Sequence, residues 1–596
     1  MLLLAGSYLS FLSSPPLPLF LLSTSKPLHA RLITTGIIHS PNPPSPLLWN
    51  SLINSLDPFP AILTFALMLY HGLSVPDEFS FSLAIRACSR SRSFAPGSQI
   101  HTLVHKSGLL ATSVYLHNSL IAFYSRCGQP EAARRIFDRA PERDVVSWNS
   151  MIDGYVKSGE LSRARGLFDG MGDEERNVVT WNSMLGGYTS RGEDGIDDGR
   201  ELFDRIPEQD SVSWNLMIGG YAKCRRLDEA EDLFGRMPGK DVVSWANLIA
   251  GYAEVGRIGS ARRLFDEMPS RDVVAWNVMI TGYVKNGRFA TALRLFSRMR
   301  EDGNVSPDGA TLAAALSAVS ELGRVRDGIA IHEFVERNRM PLDGKLGVAL
   351  IDMYSKCGRL EDALRVFEAS RSSVDHWNAM IGGLAIHGYG RLALRLFREM
   401  ERLSLRPDDI TFIGILSACS HAGMVKEGLA CFEMMRREYG LEPKVQHYGC
   451  MVDVLSRAGR LDEAWELIRA MPTEPNDVIW KSLLSGCRER GNVDMGLKVA
   501  NVLLKGSTAT SSGSHVLLSN IYAGVGMWGD ARNVRTMMQE RDLGKVPGCS
   551  WIEIDGSIHE FLVGDSSHPQ AEQVYSTLED FFCVSKMYDK HSLCSV

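Results

Sequence analysis

The sequence predicts an all-α protein, a solenoid of stacked helix-turn-helix units, and three observations carry that prediction. Five segments repeat in series: VVSWNSMIDGYVKSGELSRARGLFDGM from Val145, VVTWNSMLGGY from Val178, SVSWNLMIGGYAKCRRLDEAEDLFGRMP from Ser211, VVSWANLIAGYAEVGRIGSARRLFDEMP from Val242 and VVAWNVMITGYVKNGRFATALRLFSRM from Val273. Their landmarks keep a near-constant period. Trp148, Trp181, Trp214, Trp245 and Trp276 are 33, 33, 31 and 31 residues apart, and Phe168, Phe203, Phe234, Phe265 and Phe296 follow at 35, 31, 31 and 31. Within each unit the apolar residues take helical spacing twice over. A single hairpin of this kind cannot bury its apolar faces alone, so neighbours must stack.

Each element of the unit has its own signal. Trp148, Ile152 and Tyr155 fall at i, i+4 and i+7, one face of a first helix. Leu161, Ala164, Leu167, Phe168 and Met171 line one face of a second. Ser158-Gly159 supplies the turn between them, and Pro207, Pro238 and Pro269 stop the second helix in their units. The Trp/Tyr/Phe pattern therefore reads as core packing rather than a cofactor box, and no cofactor is expected.

Composition narrows the function classes. The 596 residues are 45% hydrophobic and 22% charged, which excludes a disordered, collagen-like or membrane-embedded chain. Lys and Arg number 64 against 70 Asp and Glu, a net charge of −6, so a basic, non-specific nucleic-acid coat is excluded while a local binding stripe is not. The 11 Cys contain no C-x-x-C; Cys88, Cys357 and Cys419 read as buried reduced thiols, which argues against a disulfide framework or a Cys₄ zinc site. No stretch of 18 apolar residues exists to span a bilayer, so no membrane partner is expected. The first acidic residue is Asp57, and only Lys26 and Arg31 carry positive charge before it. With Pro15, Pro16 and Pro18 breaking the apolar run, residues 1–45 suit an organellar transit peptide better than a secretory signal.

Unit length then separates the helical-repeat families. Tetratricopeptide repeats share the Trp, Tyr, Ala and Phe offsets but hold a fixed period of 34 residues. Here the length varies and Asn usually follows the Trp. From about Leu48 onward the chain resembles the plant pentatricopeptide repeat family, in the PLS subclass of mixed motif lengths. Short motifs run Val114–Asp144, Ser211–Asp241 and Val242–Asp272; ordinary ones Val273–Asp308 and Val374–Asp408; longer ones begin at Glu78 and Asp408. KPLHARLITTG from Lys26 resembles the tail of a degenerate first motif. The resemblance implies a right-handed superhelical solenoid that binds single-stranded RNA, one base per repeat.

It also implies which residues read the bases: the fifth and the last of each motif. These pairs are Asn118 with Asp144, Asn149 with Asn177, Asn182 with Asp210, Asn215 with Asp241, Ala246 with Asp272, Asn277 with Asp308, and Asn378 with Asp408. Ala349 with Ser373 is a further pair, and Ile413 with Lys444 and Gly449 with Asn476 are weaker candidates. The second residue, here Val146, Val179, Val212, Val243 and Val274, is implied to sandwich the base. An Asn carboxamide donates and accepts, whereas Asp only accepts and biases the choice. In the family, Asn with Asp favours uridine, and Asn with Asn favours pyrimidines with cytidine preferred. The competing reading is that Asn merely follows Trp at a helix start, and that Asp caps the next helix.

The C-terminal region divides at about residue 477. Residues 46–476 read as the repeat array, 477–546 resemble the helical E-type extension of plant RNA-editing factors, and 547–596 a truncated E+ segment. WIEI-DG-SIHEFLV, alternating about Asp555-Gly556, predicts a small β-hairpin with a type I′ turn. A zinc cytidine deaminase needs H-x-E and P-C-x-x-C, and neither occurs, so the chain is not expected to be an enzyme and no metal site is expected. The resemblance thus implies a site-recognition factor for organellar C-to-U editing. Its implied partners are single-stranded organellar RNA, a pentatricopeptide repeat protein bearing a cytidine deaminase in trans, and accessory proteins of the multiple organellar RNA editing factor type. Segments such as GKLGVALIDMYSKCGRLEDA resemble one group of chloroplast editing factors, which implies the chloroplast (alternatively the mitochondrion) and a transcript for a plastid NADH dehydrogenase-like subunit. Transcript stabilisation without editing and a tetratricopeptide-like protein scaffold are the alternatives.

Overall fold

The computed structural model describes residues 46–70, 75–505, 512–540, 549–554, 557–562 and 569–578, in two compact units that divide between Asn286 and Gly287. In the first unit, helix pairs follow one another. Val114–Arg126 pairs with Pro130–Arg139, Val145–Lys157 with Leu161–Gly170, Val178–Ser190 with Glu193–Asp204, Ser211–Lys223 with Leu227–Arg236, and Val242–Glu254 with Ile258–Glu267. Two pairs precede them, from Pro46 and from Glu78, and Val273–Lys285 ends the unit. The second unit opens with Phe289–Asp302 and continues through seven pairs, from Gly309–Leu322 with Val325–Arg337 to Ser512–Gly524 with Trp528–Glu540. Within a unit, every first helix packs on its own second helix and on the first helix of the next pair, the contact pattern of a solenoid.

The turn inside most pairs is fixed by a residue of positive φ, usually glycine and in two pairs Arg92 or Arg225. Gly159 has φ +78°, and the Glu160 N–H reaches back 2.9 Å to the Tyr155 carbonyl. That geometry closes the first helix in the left-handed conformation only glycine adopts without strain. A second glycine requirement is steric. A Cβ on Gly251 would stand 2.7 Å from the Ala222 Cβ, and one on Gly282 would stand 2.9 Å from that of Ala253. Neighbouring first helices approach through these positions.

The core between pairs is an aromatic series. The Phe of each second helix meets the Trp of the following first helix edge-on: Phe137–Trp148, Phe168–Trp181 and Phe203–Trp214 at 4.9 Å, Phe234–Trp245 at 4.7 Å and Phe265–Trp276 at 5.1 Å. In the second unit Phe367 and Trp377 repeat the contact at 4.8 Å. Such pairs contribute about 0.5–1.5 kcal/mol each beyond the area they bury. A basic residue folds over several of these Phe rings. Arg143 donates from Nε to the Phe137 carbonyl at 3.0 Å, and Arg271 to the Phe265 carbonyl at 2.9 Å. The guanidinium thereby satisfies carbonyls at a helix C-terminus, where a cation is favoured, and ties down the segment that leads into the next first helix.

Near the C-terminus, Cys549–Ile554 and Ser557–Leu562 pair antiparallel, with Cys549 opposite Leu562 and Ile554 opposite Ser557. The hairpin expected from alternation is present; its Asp555-Gly556 turn, like the transit peptide and the degenerate first motif, lies outside the described residues. Cys88 and Cys419 are buried and Cys357 half-buried. Burial pushes the Cys88 thiol up to about 12, which keeps it protonated and unreactive.

Candidate nucleic-acid interface

In most helix pairs the residue before the first helix is extended and caps it, whereas Gly344, Ser373 and Lys444 make no side-chain cap bond. Asp144 Oδ1 accepts from the Ser147 N–H at 2.8 Å, and Asp210 and Asp241 do the same for Ser213 and Ser244 at 2.8 Å. Asn177 caps Thr180 at 3.0 Å and Asp272 caps Ala275 at 2.9 Å. In the second unit Asp308 caps Thr311 at 2.8 Å and Asp408 caps Thr411 at 2.9 Å. Caps of this kind contribute about 1 kcal/mol each.

The same carboxylates receive a second partner from the preceding pair. Asn118 Nδ2 donates to Asp144 at 3.1 and 3.2 Å, Asn182 to Asp210 at 3.1 and 3.2 Å, and Asn215 to Asp241 at 3.2 and 2.9 Å. Asn149 Nδ2 donates to Asn177 Oδ1 at 3.2 Å, and in the second unit Asn378 donates to Asp408 at 3.0 Å. One carboxylate thus caps its own helix and also receives the Asn of the preceding pair. Burial alone would raise the Asp144 carboxyl, but the Ser147 N–H and hydroxyl and the Asn118 carboxamide hold it below the usual range. Asp210 is lowered in the same way by Ser213 and Asn182. Both are anionic at neutral pH.

At the second position of most first helices an apolar side chain stands in solvent; Leu346 is buried there, and Asp375 and Gln446 are polar. Val146, Val179, Val212, Val243 and Val274 are 47–57% exposed, an unusual state for valine repeated at one position. Phe79, Tyr115, Ile410 and Val478 occupy the same position and are exposed too. The sequence reading missed these four because it followed valine instead of position. It also missed a pair: Asn50 Nδ2 donates to Asp77 at 3.1 and 3.3 Å, and burial opposed by bonds from Ser80 and Asn50 leaves Asp77 lowered. Trp49-Asn50 was the available signal, the same dipeptide that marks the later units.

The remaining positions differ. Ala246 is buried and offers no amide; the neighbouring Asn247 turns back and donates to the Asn215 carbonyl at 3.0 Å. Asn277 lies on the last helix of the first unit, and Asp308 caps a helix of the second. Ala349 lies on Lys345–Lys356, and the Ser373 hydroxyl is 2.8 Å from His376 Nδ1. Ile413 and Gly449 bring no polar side chain. Lys444 reaches Asp409, while its N–H donates to His447 Nδ1 at 3.0 Å. Asn476 caps Ile479 at 3.1 Å.

Models of the "PPR repeat" match residues 115–145, 146–175, 179–209, 212–242, 243–273, 348–373, 410–439 and 447–474, and the "PPR repeat family" matches 271–320 and 372–421. An "E motif" matches 491–553 and an "E+ motif" 558–582. The chain belongs to the pentatricopeptide repeat family. Among its relatives in Arabidopsis thaliana, pentatricopeptide repeat-containing protein At2g45350, chloroplastic, is 52% identical over 557 residues, covering 87% of this chain and 85% of that one. Pentatricopeptide repeat-containing protein At2g22410, mitochondrial, is 38% identical, covering 90% and 80%. Among solved structures, the pentatricopeptide repeat protein PPR10 from maize aligns with a TM-score of 0.48 at 18% identity, covering 88% of this chain and 78% of that one.

Proposed function

We propose that this chain is a sequence-specific single-stranded RNA-binding protein that acts as a site-recognition factor for organellar C-to-U editing and recruits a deaminase in trans. The observation that carries the reading is the repeated arrangement at the starts of the first helices. In unit after unit a carboxamide is held against the cap of the next helix, with an exposed apolar side chain at the second position of most of these helices. A side chain repeated in register meets a nucleotide repeated along a strand, which is how helical repeats read one base each. With one amide N–H given to the carboxylate, the other is free for a base acceptor.

On this reading Asn118/Asp144, Asn149/Asn177, Asn182/Asp210 and Asn215/Asp241 take U, C or U, U and U in the 5′ to 3′ direction. Ala246/Asp272 is undecoded, Asn277/Asp308 and Asn378/Asp408 take U, and the five valines flank the bases. Asn50/Asp77 adds a U at the 5′ side. Residues 46–476 form the reading array, and 477–546 with 547–596 the segment that engages a deaminase-bearing partner and accessory factors of the multiple organellar RNA editing factor type. The E and E+ matches favour editing over simple transcript stabilisation, and the names of the relatives favour an organelle, with the chloroplast preferred. A plastid NADH dehydrogenase-like subunit transcript is the proposed target class.

Equilibrium binding at fixed physiological salt tests the reading. A U-rich single strand carrying one cytidine at the decoded register is expected to bind more tightly than duplex RNA, DNA or a scrambled strand of the same composition. Equal affinity for the scrambled strand refutes base reading.

A further inference from the structure

Thirteen first helices run from Pro46 to Val445, and the fifth residue of each is matched in the sequence by a rule at the third residue of the next first helix. Where the fifth residue is Asn, the third residue ahead is a hydroxyl: Asn50/Ser80, Asn118/Ser147, Asn149/Thr180, Asn182/Ser213, Asn215/Ser244, Asn378/Thr411 and, in sequence register, Asn277/Thr311. Where it is anything else, no hydroxyl stands there: Ser82/Leu116, Ala246/Ala275, Ala313/Gly347, Ala349/His376, Ile413/His447 and Gly449/Ile479.

Helix capping does not explain the rule. Asp272 caps Ala275 at 2.9 Å and Asn476 caps Ile479 at 3.1 Å with no hydroxyl present. The hydroxyl tracks the carboxamide and not the cap. Its geometry says why. The Ser147 hydroxyl stands 2.7 Å from Asn118 Oδ1, that of Ser80 2.6 Å from Asn50 Oδ1, and that of Thr411 2.6 Å from Asn378 Oδ1. Those three hydroxyls also lie 2.8, 2.8 and 2.9 Å from the cap oxygens of Asp144, Asp77 and Asp408, whereas in three other units the hydroxyl reaches only its own cap: Thr180 to Asn177 Oδ1 at 3.0 Å, Ser213 to Asp210 Oδ1 at 2.6 Å and Ser244 to the Asp241 carbonyl at 2.7 Å. In those units, and among the described residues, Asn149 Oδ1, Asn182 Oδ1 and Asn215 Oδ1 are buried with no hydrogen-bond partner. A buried acceptor left without a donor is costly, and the nearby hydroxyl is the donor that satisfies it elsewhere.

We infer that, in the Asn/Asp units, the third residue of the following helix is a specificity-determining latch: Ser80, Ser147, Ser213, Ser244 and Thr411 each lock the carboxamide of the preceding unit. This rests on the base-reading function proposed above. The carboxylate takes one amide N–H and the hydroxyl takes the amide oxygen. What remains for the base is a single N–H, which pairs with a base carbonyl and has nothing to offer a base amino group. With the hydroxyl gone, the oxygen recovers a partner only by leaving its place and turning toward the base, where it accepts from an amino group. The latch is thus what makes the unit prefer U over amino-bearing C and A.

The test uses the full chain and fluorescently labelled U-rich single strands, each with one nucleotide changed to C or A. Ser147→Ala is expected to reduce the preference for U opposite the Asn118 unit about three- to tenfold, the worth of one hydrogen bond, with thermal unfolding unchanged. Ser147→Thr is expected to keep the preference, and Asn118→Ala to abolish it. Ala is already accommodated at this helix position in Ala275, so the fold is not at risk. In the reverse direction, Ala246→Asn with Ala275→Ser is expected to gain a U preference that Ala246→Asn alone does not. Retention of the preference in Ser147→Ala while Asn118→Ala loses it, or equal gain by the single and double Ala246 variants, overturns the latch and leaves base reading standing. No effect of Asn118→Ala on any strand overturns base reading itself, and the latch with it.

Discussion

Replacing Asn215 by Thr separates a reading side chain from a structural one. Asn215 Nδ2 lies 3.2 and 2.9 Å from the Asp241 oxygens, and its Oδ1 has no partner among the described residues. The substitution removes one charge-assisted bond to a partly solvated carboxylate. Asp241 keeps its cap on the Ser244 N–H at 2.8 Å, and the Ser244 hydroxyl stays on the Asp241 carbonyl. The buried neighbours Trp214, Met217 and Ile218 are untouched. The folding cost is therefore about 1 kcal/mol, with a few tenths more for a β-branched residue in a helix. Loss of base pairing is worth more, about 1–3 kcal/mol, or roughly 5- to 150-fold in affinity for a strand with U at that register. Thr at the fifth position with Asp at the last implies G in this family, so a strand changed from U to G there is expected to recover binding to the variant. Fluorescence anisotropy at one fixed salt concentration reads both strands against both proteins. If the variant loses every strand by the same factor, or loses cooperative unfolding, Asn215 is structural and the reading assignment fails.

Other outcomes follow from the same geometry. Val212→Ser is expected to weaken binding of all four bases at its register by a similar factor, without the change in preference that Asn215→Thr produces; a base-selective loss in the same strand panel contradicts a sandwiching role. Gly251→Ala forces its new methyl to 2.7 Å from the Ala222 Cβ, and is expected to cost about 1–3 kcal/mol, seen as faster hydrogen exchange in Ser211–Lys223 and Val242–Glu254. Burial lowers His447, His332 and His101 below 6.5, so the unfolded chain takes up protons first as pH falls. Stability is expected to be whole above about pH 6.5 and to decline below it in urea titrations, whereas the lowered Asp144 and Asp210 contribute down to about pH 4 and are lost only as pH falls through their folded values. The purified chain is expected to hold no stoichiometric zinc by elemental analysis and to deaminate no cytidine; one tightly bound zinc per chain contradicts the reading of its His and Cys residues.

How far the sequence reaches is visible in individual residues. Trp148 and its successors, Phe168 and its successors, Gly159 and the prolines announced the helix pairs, because helical spacing and turn chemistry are local. Alternation likewise announced the strands around residues 555–556. Asp144 and Asn118 could each be marked as candidates from their places in the repeat. The tertiary structure joined a helix cap and a partner of Asn in one carboxylate, because stacking brings residues 26 apart within 3.2 Å. The exposure of Val146 and of Tyr115 at the same position was equally hidden, since which face of a helix meets solvent is set by its neighbours. The hydroxyl that follows each Asn stood in the sequence throughout, but about thirty residues away. Only packing of one unit on the next brings Ser147 to the Asn118 oxygen and gives that spacing a physical meaning.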